Sequence, residues 1–308
     1  MPVYNRIAEL HDDMKTWRRD IHKHPELGFE EIRTAEVVAA KLREWGIEVH
    51  EGIGKTGLVG VLKGQGSCSR SIGIRADMDA LPMQEMTGLE YQSVHDGKMH
   101  ACGHDGHTAI LLGAAKYLSE TRNFDGTVNF IFQPAEEGGG GGDAMVKDGL
   151  FERFPCDGVY GLHNMPDKPK GTFHIKTGTL MASADVARVT ITAKGGHAAH
   201  PQRANDPIKI GVQLYTALQT IVSRNVSPVD NVVVSITEFH SGTAQNIIPH
   251  DANLTASIRT ATPEMRDYVE QRFKEICAGV AATFNADIAV DYHRNYPCTV
   301  NHERETEI

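Results

Sequence analysis

No run in the sequence approaches the roughly 18 to 20 apolar residues that a membrane-spanning helix needs. The first turns carry Glu9, Asp12 and Asp13 where a signal peptide would place basic and then apolar residues, so the expected location is cytoplasmic. There is no block of lysine and arginine and the formal charge is -9, which leaves no electrostatic footprint for nucleic acid or an anionic membrane surface. Cysteine is sparse and scattered, at positions 68, 102, 156, 277 and 298, with no C-x-x-C pair. An odd, dispersed set of this kind argues against a disulfide framework or a zinc ribbon. No internal repeat stands out, and the one compositionally biased stretch is five glycines, Gly138 to Gly142. A phosphate-binding P-loop is excluded there because no Lys-Ser or Lys-Thr pair follows.

What remains is an ordinary globular composition. With 308 residues, 40% hydrophobic and 23% charged, the chain can bury a sizeable core and fill two domains. Small-molecule chemistry is the natural expectation, and 16 histidines, several beside glycine or acidic residues, give a first hint of metal.

Apolar residues at Ile7, Leu10, Met14, Trp17 and Ile21 recur at helical steps and predict an opening amphipathic helix that ends at His24-Pro25. A second helix is expected over 32–45. Short Val-, Ile- and Phe-rich runs near 57–63, 71–77, 126–132 and 158–162 alternate with helical stretches near 107–120 and 143–149. That alternation predicts an α/β domain with a mainly parallel sheet flanked by helices, whose ligand sites gather where strands end. From about residue 183 the order becomes strand (185–194), helix (207–224), strand (230–239), strand (252–260), helix (263–284) and strand (287–293). This is the β-α-β-β-α-β plan of a ferredoxin-like α+β domain. Asn205-Asp206-Pro207 and Thr262-Pro263-Glu264 signal its helix starts, a capping side chain preceding a proline.

The segment Met99-His100-Ala101-Cys102-Gly103-His104-Asp105-Gly106-His107 packs three histidines, a cysteine and an aspartate into nine positions just before a helix. A thiolate and an imidazole two residues apart in a loop can face one cation of the zinc, manganese or nickel type. At Gln133-Pro134-Ala135-Glu136-Glu137-Gly138 a β-like run ends in paired carboxylates. If the segment is extended, the two side chains point opposite ways, one free to bind metal and the other to face a reacting water. A glutamate beside a metal-activated water is a standard arrangement for amide hydrolysis, although a carboxylate pair at a strand end is as often solvated surface. Gly161-Leu162-His163-Asn164-Met165-Pro166 sets a histidine just past another apolar strand, where a lone histidine is more often structural. Ile72-Gly73-Ile74-Arg75-Ala76-Asp77-Met78-Asp79 places two aspartates at a further strand end, and Asp79 can orient a ligand from behind.

Taken together, D-M-D-A-L-P, M-H-A-C-G-H-D-G-H, Q-P-A-E-E-G-G-G-G and G-L-H-N-M-P resemble the M20 metallopeptidase family, in its branch of aminoacylase-like amidohydrolases that includes hippurate and auxin-conjugate hydrolases. The likeness runs from about His22 to the last residues. It implies a catalytic metal-binding domain over 1–182, an inserted lid and dimerisation domain over 183–294, and a return to the catalytic domain over 295–308. It further implies two divalent metal ions, zinc or manganese first and nickel or cobalt after, held by Cys102, His104, Glu137 and His163, with Glu136 as general base. In the lid, Gly195-Gly196-His197-Ala198-Ala199-His200-Pro201 resembles the loop in which His197 would donate to the developing oxyanion, in the partner subunit's site. Asn246 and Arg259 sit where the family binds the substrate carboxylate. Read by themselves, Arg259 could be a strand salt bridge and Asn246 a turn residue. The resemblance implies cleavage of an N-acyl amino acid to a carboxylic acid and a free amino acid, with deacetylation of an N-acetyl-diamino acid or cleavage of another acyl conjugate as the alternative. A homodimer paired through the lid is the expected assembly.

Two departures bear on this. The wider family often reads H-x-D where this chain reads Asp77-Met78-Asp79, and the branch resembled here uses the Cys102 and His104 cluster instead. Family members also carry a further metal-binding histidine in a sheet segment beyond the lid, whereas this sequence stops at Ile308. His302 is too near the last lid strand, in too charged a segment, to replace it. The expectation is therefore a catalytic domain whose remainder is absent, and a binding or dimerisation module without catalysis stands as the rival reading.

Overall fold

The computed structural model of the chain describes residues 5–308. They fall into two compact units, the first ending at Phe173 and the second beginning at His174. No helix among the described residues is long and apolar enough to cross a membrane.

The first unit runs α1 (Asn5–Glu9), α2 (His11–Lys23), α3 (Ile32–Glu44), β1 (Glu48–Ile53), β2 (Gly57–Lys63), β3 (Ser71–Asp77), α4 (His104–Thr121), β4 (Thr127–Gln133), α5 (Gly141–Lys147), α6 (Leu150–Arg153) and β5 (Gly158–Gly161). The single opening helix expected from the sequence is two, broken at Leu10, whose side chain is buried. The sheet order is β1-β2-β4-β3-β5. Strands β4, β3 and β5 are parallel, while β1 and β2 form an antiparallel hairpin that adds to β4. The sheet is thus parallel where it carries the site and antiparallel at one side. Strand β1, with Glu48, His50 and Glu51 and little burial, lacked the apolar run that marks the others.

Both faces of this sheet are covered. Phe130 and Phe132 turn to one side with Leu58, Val38, Leu42, Leu111 and Leu112, and Ile131 turns to the other with Val59, Met145, Leu150 and Phe154. Burial on both faces is why β4 reads as an unbroken apolar run. The parallel register sets Asp77 beside Gln133 and Arg75 beside Gly161, so the carboxyl ends of β3, β4 and β5 lie at one edge.

The second unit contains β6 (Gly178–Met181), β7 (Ala184–Thr192), β8 (Gly196–His197), α7 (Pro207–Thr220), β9 (Val232–Ser241), β10 (Ile247–Ile248), β11 (Asp251–Thr260), α8 (Pro263–Phe284), β12 (Asp287–Tyr296), β13 (Thr299–Asn301) and α9 (Glu303–Thr306). Its four long strands form an antiparallel sheet ordered β12-β7-β11-β9, and the chain order β7-α7-β9-β11-α8-β12 is the ferredoxin-like plan. Among the described residues one face of this sheet is packed: Ile191, Leu254 and Ile258 meet Leu214 and Phe273 from the helices, and alternate residues of β7 and β11 face outward. Asp206 accepts from the Ile208 and Lys209 amides and Thr262 from the Met265 amide, which caps α7 and α8 as the sequence indicated. Two short ribbons were not visible in the sequence, β8 with β10 and β6 with β13. Each has at most four residues per strand, too few for an alternation pattern to register.

Candidate metal centre

His104 is the first residue of α4 and is fully buried. Its Nδ1–H donates to Asp79 Oδ1 at 3.1 Å, which turns Nε2 inward. Among the described residues that Nε2 has no hydrogen-bond partner, yet it lies 3.6 Å from Asp77 Oδ2, 3.8 Å from Glu136 Oε2 and 3.9 Å from Glu137 Oε1. These separations are too long for hydrogen bonds. They are close to the ~3.3–3.6 Å between two ligand atoms sharing one zinc-sized cation. Two residues earlier, the Cys102 Sγ stands 3.3 Å from His163 Nε2. The His163 Nδ1–H donates to its neighbour's carbonyl, Asn164 O, at 2.7 Å, so this ring too presents Nε2 inward. Three overlapping sets of ligand atoms, each within 4.8 Å, meet at His104: with Cys102 and His163, with Glu136 and Glu137, and with Asp77 and His107.

Local backbone makes the convergence possible. Gly103, just before α4, has φ +95°, and a Cβ there would come within 2.5 Å of the Asn164 side chain, so only glycine lets the His163 loop close on the helix start. Glu136 and Glu137 sit in a turn beyond β4, not in an extended segment. The expected alternation therefore does not hold: both carboxylates approach the same edge of His104, because Ala135 takes φ +47° and reverses the chain. Asp79 joins the two halves, since its Oδ2 accepts from the Glu137 amide at 2.8 Å while Oδ1 holds His104. The glycine run closes around this turn. A Cβ on Gly139 would lie 2.6 Å from the Ala135 Cβ, and one on Gly141 would lie 1.7 Å from the Pro134 carbonyl oxygen.

The electrostatics follow from this crowding. Burial disfavours a charged His104, but its bond to Asp79, the nearby Cys102 thiol and the charge of Asp77 outweigh that and push it up to about 11. His163 is pushed up to about 9, chiefly by its bond to Cys102. The Cys102 thiol is lowered by His104 and then His163. Burial, with the charges of Glu137 and Asp77, raises Glu136.

Residues 73–308 match the model for peptidase family M20/M25/M40. The chain belongs to that family. A hippurate hydrolase of Campylobacter jejuni is 48% identical over all of this chain and 80% of its own length. An N-acetyl-L-cysteine deacetylase of Bacillus subtilis is 42% identical over 97% of this chain and 72% of its own. Among solved structures, a dinuclear metal-binding peptidase of the M20 family from Bacillus subtilis superposes with a TM-score of 0.82 at 36% identity, covering 97% of this chain and 78% of that one. This M20 protein is a metal-dependent hydrolase of amide or peptide bonds. The residues fit a metal: a buried, unpartnered imidazole nitrogen faces carboxylates, with a thiol and a second imidazole alongside.

The lid residues do not all come together. His197 in β8 and Asn246 just before β10 line one hollow of about 520 Å³. Arg259, exposed near the far end of β11, does not line it. Sequence reasoning missed the residues behind the candidate ligands. Asp77 and His107 form one such link: His107 Nδ1–H donates to Asp77 Oδ1 at 2.6 Å, and its Nε2 accepts from the Asn164 amide at 3.0 Å, tying α4 to the His163 loop. Asp105 forms another, its Oδ2 bound by His22 Nδ1 at 2.7 Å and Arg18 Nε at 2.6 Å, with His22 reaching Glu85 at 3.2 Å. His107 and Asp105 stood inside the quoted motif, but nothing in spacing distinguishes a ligand from the residue that steadies it.

Proposed function

We propose that this M20 hydrolase cleaves the amide bond of N-acyl amino acids, with benzoyl-glycine as reference substrate, to give a carboxylic acid and a free amino acid. The observation that carries the reading is the unpartnered Nε2 of buried His104, facing Glu136 and Glu137 and adjoining the Cys102–His163 pair. The names of the Campylobacter and Bacillus relatives, one acting on hippurate and one on N-acetyl-L-cysteine, support the substrate class. Cys102, His104, Glu137 and His163 would hold two divalent cations, zinc or manganese before nickel or cobalt. Bound there, such cations polarise the amide carbonyl and acidify a water.

Glu136 takes the proton from the attacking water and delivers it to the leaving nitrogen. Its raised proton affinity suits a group that must keep that proton between the two steps. In the lid, His197 Nδ1 accepts from the Ala199 amide at 3.1 Å, which leaves Nε2–H to donate to an oxyanion. Asn246 offers an amide from the same hollow, and the Arg259 guanidinium can take a carboxylate through two parallel bonds. Arg259 lies eight residues along β11 from Asp251, which borders that hollow, roughly 27 Å at ~3.4 Å per residue. Benzoyl-glycine spans on the order of 10 Å by its bond lengths, so one lid cannot use both patches on one substrate. This favours a homodimer in which His197 serves the partner's site. Strands β9 and β12, each with an open outer edge in the described sheet, offer the pairing surface.

The test is metal content together with benzoyl-glycine hydrolysis under added manganese or zinc. Glu136→Gln should leave metal binding intact and lower turnover by about 10²–10⁴-fold. No metal uptake at millimolar supply would overturn the reading. Parallel turnover of benzoyl, acetyl and indole-acetyl amino acids then fixes the acyl preference.

A further inference from the structure

We infer that Glu31 is a positioning residue, which sets through the Ala135 amide the direction in which Glu136 and Glu137 face His104. The inference rests on the reading of that turn as part of the metal and acid–base centre.

Glu31 precedes α3, far from the turn in sequence, and is fully buried. A buried carboxylate is unfavourable unless its oxygens are satisfied. Here Oε1 accepts from the Ala135 amide at 2.8 Å and Oε2 accepts from the Thr56 hydroxyl. Burial raises its affinity for a proton. An apolar residue would fill the space at less cost, so what the carboxylate adds is an acceptor aimed at one amide.

That amide belongs to the residue that turns the chain. Ala135 holds φ +47°, a conformation that L-residues rarely adopt, and its Cβ is walled by Gly28 and Gly139, where added Cβ atoms would lie at 3.0 and 2.6 Å. Asp79 pins the Glu137 amide from the opposite end. Two buried carboxylates therefore grip the tripeptide Ala135-Glu136-Glu137 at its first and last amides. Rotation about the middle residue is what would swing either glutamate off His104. Without the Glu31 bond, the first amide is loose and Ala135 can relax toward the ordinary helical or extended regions.

The test compares Glu31→Gln, Glu31→Asp and Glu31→Leu in the full chain by cobalt(II) titration, kcat and KM on benzoyl-glycine, and amide exchange of residues 133–138. Aspartate keeps the charge but withdraws the carboxylate by about 1.5 Å, one methylene. It should weaken cobalt binding by about 10–100-fold, lower kcat to a similar degree with KM within about twofold, and speed exchange in the turn. Leucine should do the same, and glutamine, which keeps an acceptor at full reach, should restore what leucine loses. If the leucine variant does not fold, the aspartate and glutamine pair decides. The inference is overturned if aspartate and leucine only lower the melting temperature while cobalt binding and kcat match the parent, or if aspartate is active and glutamine is not, because charge and not reach would then matter. A parent chain that binds cobalt without hydrolysing N-acyl amino acids refutes the substrate reading alone, and the cobalt and exchange comparisons still decide the role of Glu31.

Discussion

Replacing Asp79 by asparagine tests how much of the site depends on one carboxylate. Asp79 is buried and accepts hydrogen bonds from His104 Nδ1–H and from the Glu137 amide. An asparagine of the same shape has one oxygen and one NH2 to offer, so it can satisfy only one of them. If its oxygen keeps Glu137, the NH2 faces His104 and drives the ring proton onto Nε2, the nitrogen turned toward Glu136 and Glu137. The lone pair that would bind a cation is then lost. With the amide the other way round, a buried backbone N–H is left unmatched, at about 1–3 kcal/mol. Either outcome should weaken metal binding by about 10–100-fold, which is about 1.4–2.7 kcal/mol. The assay is competition with a chromophoric chelator for zinc or manganese, with circular dichroism to confirm the fold. A dissociation constant within twofold of the parent and an unchanged melting temperature would refute the tautomer argument.

Two further outcomes are expected. Gly141→Ala drives a Cβ into the Pro134 carbonyl at 1.7 Å, so it should destabilise the fold by about 1–3 kcal/mol or more and impair metal binding, whereas Gly138→Ala, with open space at φ +88°, should cost about 1–2 kcal/mol and leave binding intact. Equal behaviour of the two in thermal unfolding and metal titration would contradict the packing described. His22 is raised above the ordinary value of about 6.5, first by its bond to Asp105 and against the effect of burial. A group raised on folding stabilises fully below its unfolded value and loses that contribution as pH climbs through the folded one. The stability gap between the parent and His22→Gln, measured by urea unfolding, should be widest near pH 6 and narrow at higher pH. A gap that widened with pH would show that the Asp105 pairing is not the source.

Much of this was legible in the residues, for reasons that also mark the limits. The lid could be read because its sheet packs on one face, so β7 and β11 alternate cleanly, and because Asp206-Pro207 and Thr262-Pro263 announce the helices. The strand ends carrying Asp79, Glu137 and His163 could be read because apolar runs stop there. Strand β1 could not, as it borrows its order from β2 and its sequence is polar. The facing of Glu136 and Glu137 was misjudged because a period-two rule applies to extended chain, while Ala135 reverses it. Glu31 and Glu85 carried no signal, since each lies far in sequence from what it steadies, and only folding reveals a buried carboxylate's target.

Strand β11 holds the His197 hollow and Arg259 at its two ends, and an antiparallel strand gripped on both sides neither bends nor stretches enough to bring them together. On the two-subunit reading, recognition of substrate is then governed by mass action as well as by shape. Dilution that separates the subunits would leave the metal-binding residues in place on every chain while removing the oxyanion donor from each. The catalytic unit would be a pair of molecules, and the concentration of the protein itself would enter its rate law.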